Sequence, residues 1–173
     1  MKLTTTSYAV LGLVDILGEA TPYDLKRAIE QSVDNFWPVP HTTFYAEPTR
    51  LAEGGYLSET REEGGRRRKH YALTDAGREA LRAWVASPRA APPQLHDEML
   101  LKVFLGGDPQ AMAADRKAFH QAKLAELQGY LDLHDAAAHD GVRRSLEIGV
   151  GYHRGMVRLI DEMSAAIGDD VPG

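Results

Sequence analysis

Apolar residues recur every three or four positions over most of this chain, the spacing of amphipathic helices. In residues 4–17, Tyr8, Leu11, Val14 and Leu17 form one stripe, and Val10 and Leu13 widen it into a largely buried face. Hydroxyl residues at its start can cap it, and Gly18 suits its end. The face can be covered by this chain's own core or by a second copy. A second helix has the clearest start: Thr21 can cap, Pro22 suits the first position, and Asp24 sits like the acid of a capping box. Leu25 and Ile29 face inward with Tyr23 alongside, and the helix ends near Ser32, before the segment VDNFWPVP. A third, more polar helix begins at His41 or Thr42 and runs to about Ala52. Tyr45 and Leu51 are its core candidates, and Thr42, Thr43, Glu47 and Arg50 form its outer face. Pro48 predicts a bend, because an interior proline removes a backbone donor. Gly54 and Gly55 close the helix.

The period then changes. Tyr56 to Thr60 and Lys69 to Leu73 read as two short strands, joined by a turn centred on Gly64 and Gly65. Thr74 caps a fourth helix, DAGREALRAWV, with Leu81, Trp84 and Val85 on its apolar side. Three prolines in SPRAAPPQ, residues 87–94, mark a boundary. Beyond it, residues 95–105 form a short apolar helix around Met99, Leu100, Val103 and Phe104. Asp108 and Pro109 open a long helix carrying Met112, Phe119, Leu124, Leu127 and Leu131. A last helix, about 140–167, carries Val142, Leu146, Val150, Val157, Ile160 and Ile167. The fold expected is mainly α with a small β-hairpin wing, in two domains, residues 1–86 and 95–168. Two long amphipathic helices on a small domain need a partner surface, and a homodimer supplies one most economically.

Composition narrows the function classes. Zero cysteines exclude a disulfide framework and thiolate metal sites. The start of the chain shows no export signal, and no run approaches the ~20 apolar residues that span a bilayer. A cytoplasmic location with no membrane partner is the simplest expectation. Net charge is -5, but the cations cluster: residues 66–69 are RRRK, followed by His70. Residues 1–86 hold eleven Lys or Arg against twelve Asp or Glu, whereas residues 87–173 hold nine against thirteen. The acidic second part suits a role other than holding nucleic acid.

A polar helix followed by a cationic ribbon suits duplex DNA, with the helix in the major groove and the cations on the backbone. Candidate contacts are His41, Thr42, Thr43, Tyr45 and Arg50 on the helix, and Arg66, Arg67, Arg68 and Lys69 on the ribbon. Hydroxyls reach phosphates or base edges, and arginine suits phosphate or guanine. Plainer roles stand beside these. Thr42 and Thr43 can merely start the helix, His41 can cap it, Tyr45 can be core, and the basic turn can be a solvated tip flanked by Glu62 and Glu63. Enzymatic chemistry has little support, and no cofactor is implied. Asp97 and Glu98 are adjacent and cannot face each other on a helix, and His134, His139, His120 and His153 lack the spacing of a metal motif.

The segment FYAEPTRLAEGGYLSETREEGGRRRKHYALTDAGREALRAW resembles the PadR family of winged-helix transcriptional regulators. The matching positions are Tyr45, Arg50, Leu51, Glu53, Gly54, Gly55, Tyr56, Leu57, Tyr71, Leu73, Thr74, Gly77 and Arg78. SYAVLGLV and DEMLLKVFLGG extend the likeness over essentially the whole chain, and the C-terminal helices resemble the subgroup with the longer, virulence-regulator-like domain. The resemblance implies a winged helix-turn-helix with a C-terminal helical dimerisation domain. It implies a sequence-specific, dimeric, usually repressing protein on a palindromic promoter operator in double-stranded DNA. It also implies release by a small aromatic or drug-like effector, for which Trp37, Trp84, Met99 and Phe104 are candidate pocket residues; core packing is the alternative for each. Many members carry proline directly after the tyrosine and leucine three positions after it. Ala46 and Pro48 stand there in this chain, so that leucine's core contact must come from elsewhere. A different class of function is a protein-interaction adaptor built on the same scaffold, and a salt series with promoter fragments separates the two.

Overall fold

Side-chain caps set where the first helices begin. A computed structural model describes residues 1–30, 36–37, 40, 42–62, 67–133 and 140–169, with side chains to residue 166. His41, Gly64, Gly65, Arg66, His134, His139 and the side chain of Ile167 therefore lie outside the described residues. Helix α1 (Thr5–Leu17) starts on a reciprocal box. The Ser7 N–H donates to Thr4 Oγ1 at 3.3 Å, and the Thr4 N–H donates to Ser7 Oγ at 2.8 Å. Helix α2 (Pro22–Glu30) starts on the expected box, with the Thr21 N–H donating to Asp24 Oδ2 at 2.9 Å and the Asp24 N–H to Thr21 Oγ1 at 3.2 Å. Hydrogen bonds from Thr21 hold the Asp24 carboxyl below its usual range. Helix α3 (Thr43–Glu53) follows and runs unbroken through Pro48.

Strands β1 (Leu57–Arg61) and β2 (Lys69–Leu73) pair antiparallel, with Leu57 opposite Leu73, Glu59 opposite Tyr71 and Arg61 opposite Lys69. The first strand lies one residue later than its spacing predicts. The far edge of β2 is pinned to the α1–α2 connection: the Tyr71 N–H donates to the Ala20 carbonyl at 2.9 Å, and the Ala20 N–H to the Tyr71 carbonyl at 3.0 Å. Helix α4 (Asp75–Val85) starts where Thr74 Oγ1 accepts the Gly77 N–H. These elements make up the first of two compact units, Met1–Ala91.

The core of this unit is Val10, Leu11, Val14, Leu25, Ile29, Phe44, Leu51, Leu57, Tyr71 and Leu73. Each such side chain contributes about 1.5–3 kcal/mol relative to remaining exposed. Several expected core positions differ. Tyr23 is 65% and Tyr45 56% exposed, whereas Phe44 is fully buried. Phe44, Pro48 and Leu51 are spaced four and three apart, the true helical stripe; Tyr45 lies off it. Pro48 itself is buried on this stripe, so the apolar contact expected to come from elsewhere is made at this position. Glu47 is also buried rather than on the outer face. On α4, Leu81 packs on the core, Val85 is exposed, and Trp84 stacks on Tyr8 with ring centroids 4.8 Å apart while staying 43% exposed.

The second unit, Pro92–Gly173, holds α5 (Glu98–Phe104), α6 (Pro109–Leu133) and α7 (Asp140–Asp169). Gln110 bonds Ser164, Lys117 pairs with Asp161, and His120 bonds His153, so α6 and α7 run antiparallel. Leu127, Leu146 and Val150 form their shared core, as their spacing predicts. On α5 the expected apolar core is not buried: Leu100, Leu101 and Phe104 are exposed. Among the described residues, no helix is long and apolar enough to cross a membrane.

Candidate nucleic-acid interface

Burial on one side of α3 decides what its other side offers. With Phe44, Glu47, Pro48 and Leu51 turned inward, the outer surface carries Thr42, Tyr45 and Ala46, with Thr43 and Thr49 half-buried beside them. Thr42 makes no side-chain capping bond to the helix. This strip of hydroxyls, a phenol and methyl groups is the chemistry that reads base edges and phosphates.

Arg50 is tied into the first unit by side-chain hydrogen bonds. Its Nε donates to Glu47 Oε2 at 2.8 Å, and its Nη2 donates to Ser7 Oγ at 2.9 Å. The guanidinium thus braces α3 against the start of α1, and it holds the Glu47 carboxyl below its usual range. An arginine three residues after a glutamate was the sequence signal for this pair.

The ribbon grades from apolar to charged. Along one face, the buried pair Leu57/Leu73 gives way to Glu59/Tyr71 and then to Arg61/Lys69. Glu59 gathers three donors: Lys69 Nζ at 2.9 Å, Arg61 Nε at 3.1 Å and the Tyr71 hydroxyl at 3.1 Å. The Lys69 bond is the main cause of a lowered Glu59 pKa. Arg67 and Arg68 are exposed, and Arg67 enters β2 from the left-handed region at φ 47°. The Glu62 N–H donates to the Arg68 carbonyl at 3.1 Å, extending the ladder towards the tip. His70 lies between two carboxylates, with Nδ1 3.3 Å from Glu19 and Nε2 3.1 Å from Glu62.

The candidate effector residues are divided between the two units. Trp37 and Trp84 belong to the first unit, each 44% and 43% exposed, and neither is core. In the second unit, α5 and α6 border an open cleft of about 370 Å³ lined by Met99, Met112 and Phe119 together with Glu98, Lys102, Asp115 and Arg116. Met99 lines it; Phe104, 84% exposed, does not. Arg116 is paired with Asp97, whose carboxylate also caps α5.

Three helices and a two-stranded ribbon in this order define a winged helix-turn-helix protein. Residues 10–83 match the Transcriptional regulator PadR-like family. The negative transcriptional regulator PadR of Bacillus subtilis (strain 168) is 30% identical over 129 residues, covering 70% of each chain. The chain belongs to the PadR-like family of transcriptional regulators. The fold is also that of Bacillus subtilis PadR solved with operator DNA, at TM-score 0.82 and 24% identity over 96% of this chain and 99% of the other. The same Bacillus subtilis protein solved with p-coumaric acid matches at TM-score 0.77 and 24% identity, over 95% and 96% of the two chains.

Proposed function

We propose that this protein is a dimeric, cytoplasmic repressor that binds a palindromic operator in double-stranded DNA and leaves it when a small aromatic effector binds. Residues 1–86 are the DNA-binding domain, and residues 95–168 dimerise and receive the effector. The observation that carries the reading is the outer strip of α3, Thr42, Thr43 and Tyr45, in the same unit as a ribbon whose exposed cations include Arg67 and Arg68. In this reading the strip enters the major groove, and Arg66, Arg67, Arg68 and Lys69 hold phosphates. His41 joins them at the start of α3, and Arg50 acts by keeping that helix in place.

Dimerisation is supported by the uncovered apolar side chains of the second unit, Leu100, Leu101, Phe104 and Leu105. A two-fold dimer pairs its readers with opposed half-sites. Effector control is supported by the relative solved with p-coumaric acid and by the α5–α6 cleft, whose methionines and Phe119 suit a ring. An effector that favours a dimer with the wrong reader spacing lowers operator affinity by its preference for that state.

Selection of genomic fragments by the purified full-length protein tests this. The expected result is one enriched palindromic motif. Replacing Arg67 and Arg68 by glutamine weakens binding on every duplex, and it lowers the salt-dependence slope by roughly 0.9 per lost phosphate contact. Equal, weak binding to all duplexes overturns the reading.

A further inference from the structure

Tyr71 occupies an unusual junction. Its ring is fully buried in the core of the first unit, and its backbone is hydrogen-bonded on both sides to Ala20. Only the hydroxyl has polar work to do, and it meets two elements at once. Thr49 Oγ1 of α3 lies 2.9 Å away, and Glu59 Oε2 of β1 lies 3.1 Å away. The phenol has a single proton, and the ionised carboxylate can only accept. The phenol proton therefore points to Glu59, and the Thr49 hydroxyl donates its own proton to the Tyr71 oxygen. The chain continues outward, because Glu59 also accepts from Lys69 and Arg61 on the ribbon.

We infer that Tyr71 and Glu59 are positioning residues for DNA recognition: their hydrogen-bond chain fixes the ribbon's cations relative to the reading face of α3. The inference rests on the DNA-binding reading above. Without this chain, Leu57, Leu73, the buried Tyr71 ring and the Ala20 bridge still hold the base of the ribbon, but its charged half loses its polar tie to α3, and the groove-facing and phosphate-facing groups lose a fixed spacing. Binding energy is then lost in ordering the two parts on the duplex. Charge makes the inference sharp. Glu59 is an anion beside the cations that meet phosphate, so its electrostatic effect alone opposes DNA binding. Its positioning effect favours binding, and removal of the carboxylate separates the two by sign.

The experiment uses the full-length protein and the duplex that the wild type selects from a random library. Tyr71→Phe keeps the ring and deletes the hydroxyl. It is expected to remain folded by circular dichroism and to lose about fivefold in operator affinity, the size of one net hydrogen bond. Its salt dependence becomes shallower, which a loss of stability alone does not produce in a folded sample. Glu59→Met is expected to bind more weakly despite its added net positive charge. Thr49→Val combined with Tyr71→Phe costs no more than the worse single variant, because both cut one chain. Tighter binding by Glu59→Met overturns the inference, as do wild-type affinity and salt slope in Tyr71→Phe. In both of these outcomes DNA binding itself stands. A wild-type protein that selects no duplex overturns the DNA reading and this inference together.

Discussion

His120 on α6 and His153 on α7 are buried against each other, with their Nδ1 atoms 2.9 Å apart. One ring must present a bare Nδ1 for that bond to form, so two imidazolium rings cannot share it. Phe119 and Tyr152 lie edge-on to the pair. Arg116 and Lys123 of α6 disfavour added positive charge there, and Glu126 only partly offsets them.

An acid-labile second unit follows. Burial first, and then nearby positive charge, lowers both pKa values from the ordinary 6.5. The unfolded chain takes up protons near 6.5 while the folded pair stays neutral. Stability is therefore complete above that pH and falls as pH drops below it, by at most about 1.4 kcal/mol per pH unit for each ring. Thermal denaturation between pH 5 and 8 checks this. His120→Phe with His153→Leu removes both partners and flattens that dependence.

Phe44 and Tyr45 should separate stability from recognition. Phe44→Ala empties a fully buried site and costs about 3–5 kcal/mol in urea denaturation. Tyr45→Ala acts on a side chain 56% exposed and shifts stability by less than about 1 kcal/mol. The same Tyr45 variant loses operator affinity in a fluorescence-anisotropy titration.

Arg50→Met should behave as the loss of a brace. It leaves the buried Glu47 carboxylate without its main partner, which costs about 1–3 kcal/mol of unfolding free energy. Binding assayed on the folded variant keeps the wild-type salt slope, because no phosphate contact has been removed. A slope reduced by about one instead returns Arg50 to the DNA surface.

Gly77→Ala should be among the most damaging single changes in the first unit. A methyl group there meets the Tyr56 carbonyl oxygen at 2.1 Å and Leu73 Cδ2 at 2.9 Å. Backbone must move, at a cost of about 1–3 kcal/mol, measured by chemical denaturation. The close approach explains why glycine follows Thr74 by three residues: its N–H caps α4 on that threonine while its Cα packs under the ribbon.

Caps, glycines and apolar spacing were legible along the chain because they act within a few residues. The Thr21–Asp24 box, the break at Gly54–Gly55, a strand to within one residue of 57–61 and its return at 69–73, and the apolar spacing of Leu127, Leu146 and Val150 all follow from local rules. The PadR-like signature was equally visible, because it consists of those local signals in a fixed order. Phe44 was readable too, at spacings of four and three from Pro48 and Leu51, but an aromatic neighbour at Tyr45 competed with it.

Tertiary structure alone decided which polar groups meet across long stretches of chain. Arg50 reaches Ser7, Thr49 reaches Tyr71, and His120 reaches His153 across gaps of 43, 22 and 33 residues. Periodicity specifies which side of an element turns inward, but it carries no information about what stands opposite. The buried histidines are tolerated because each meets the other across such a gap, and that meeting is fixed only when the two helices pack.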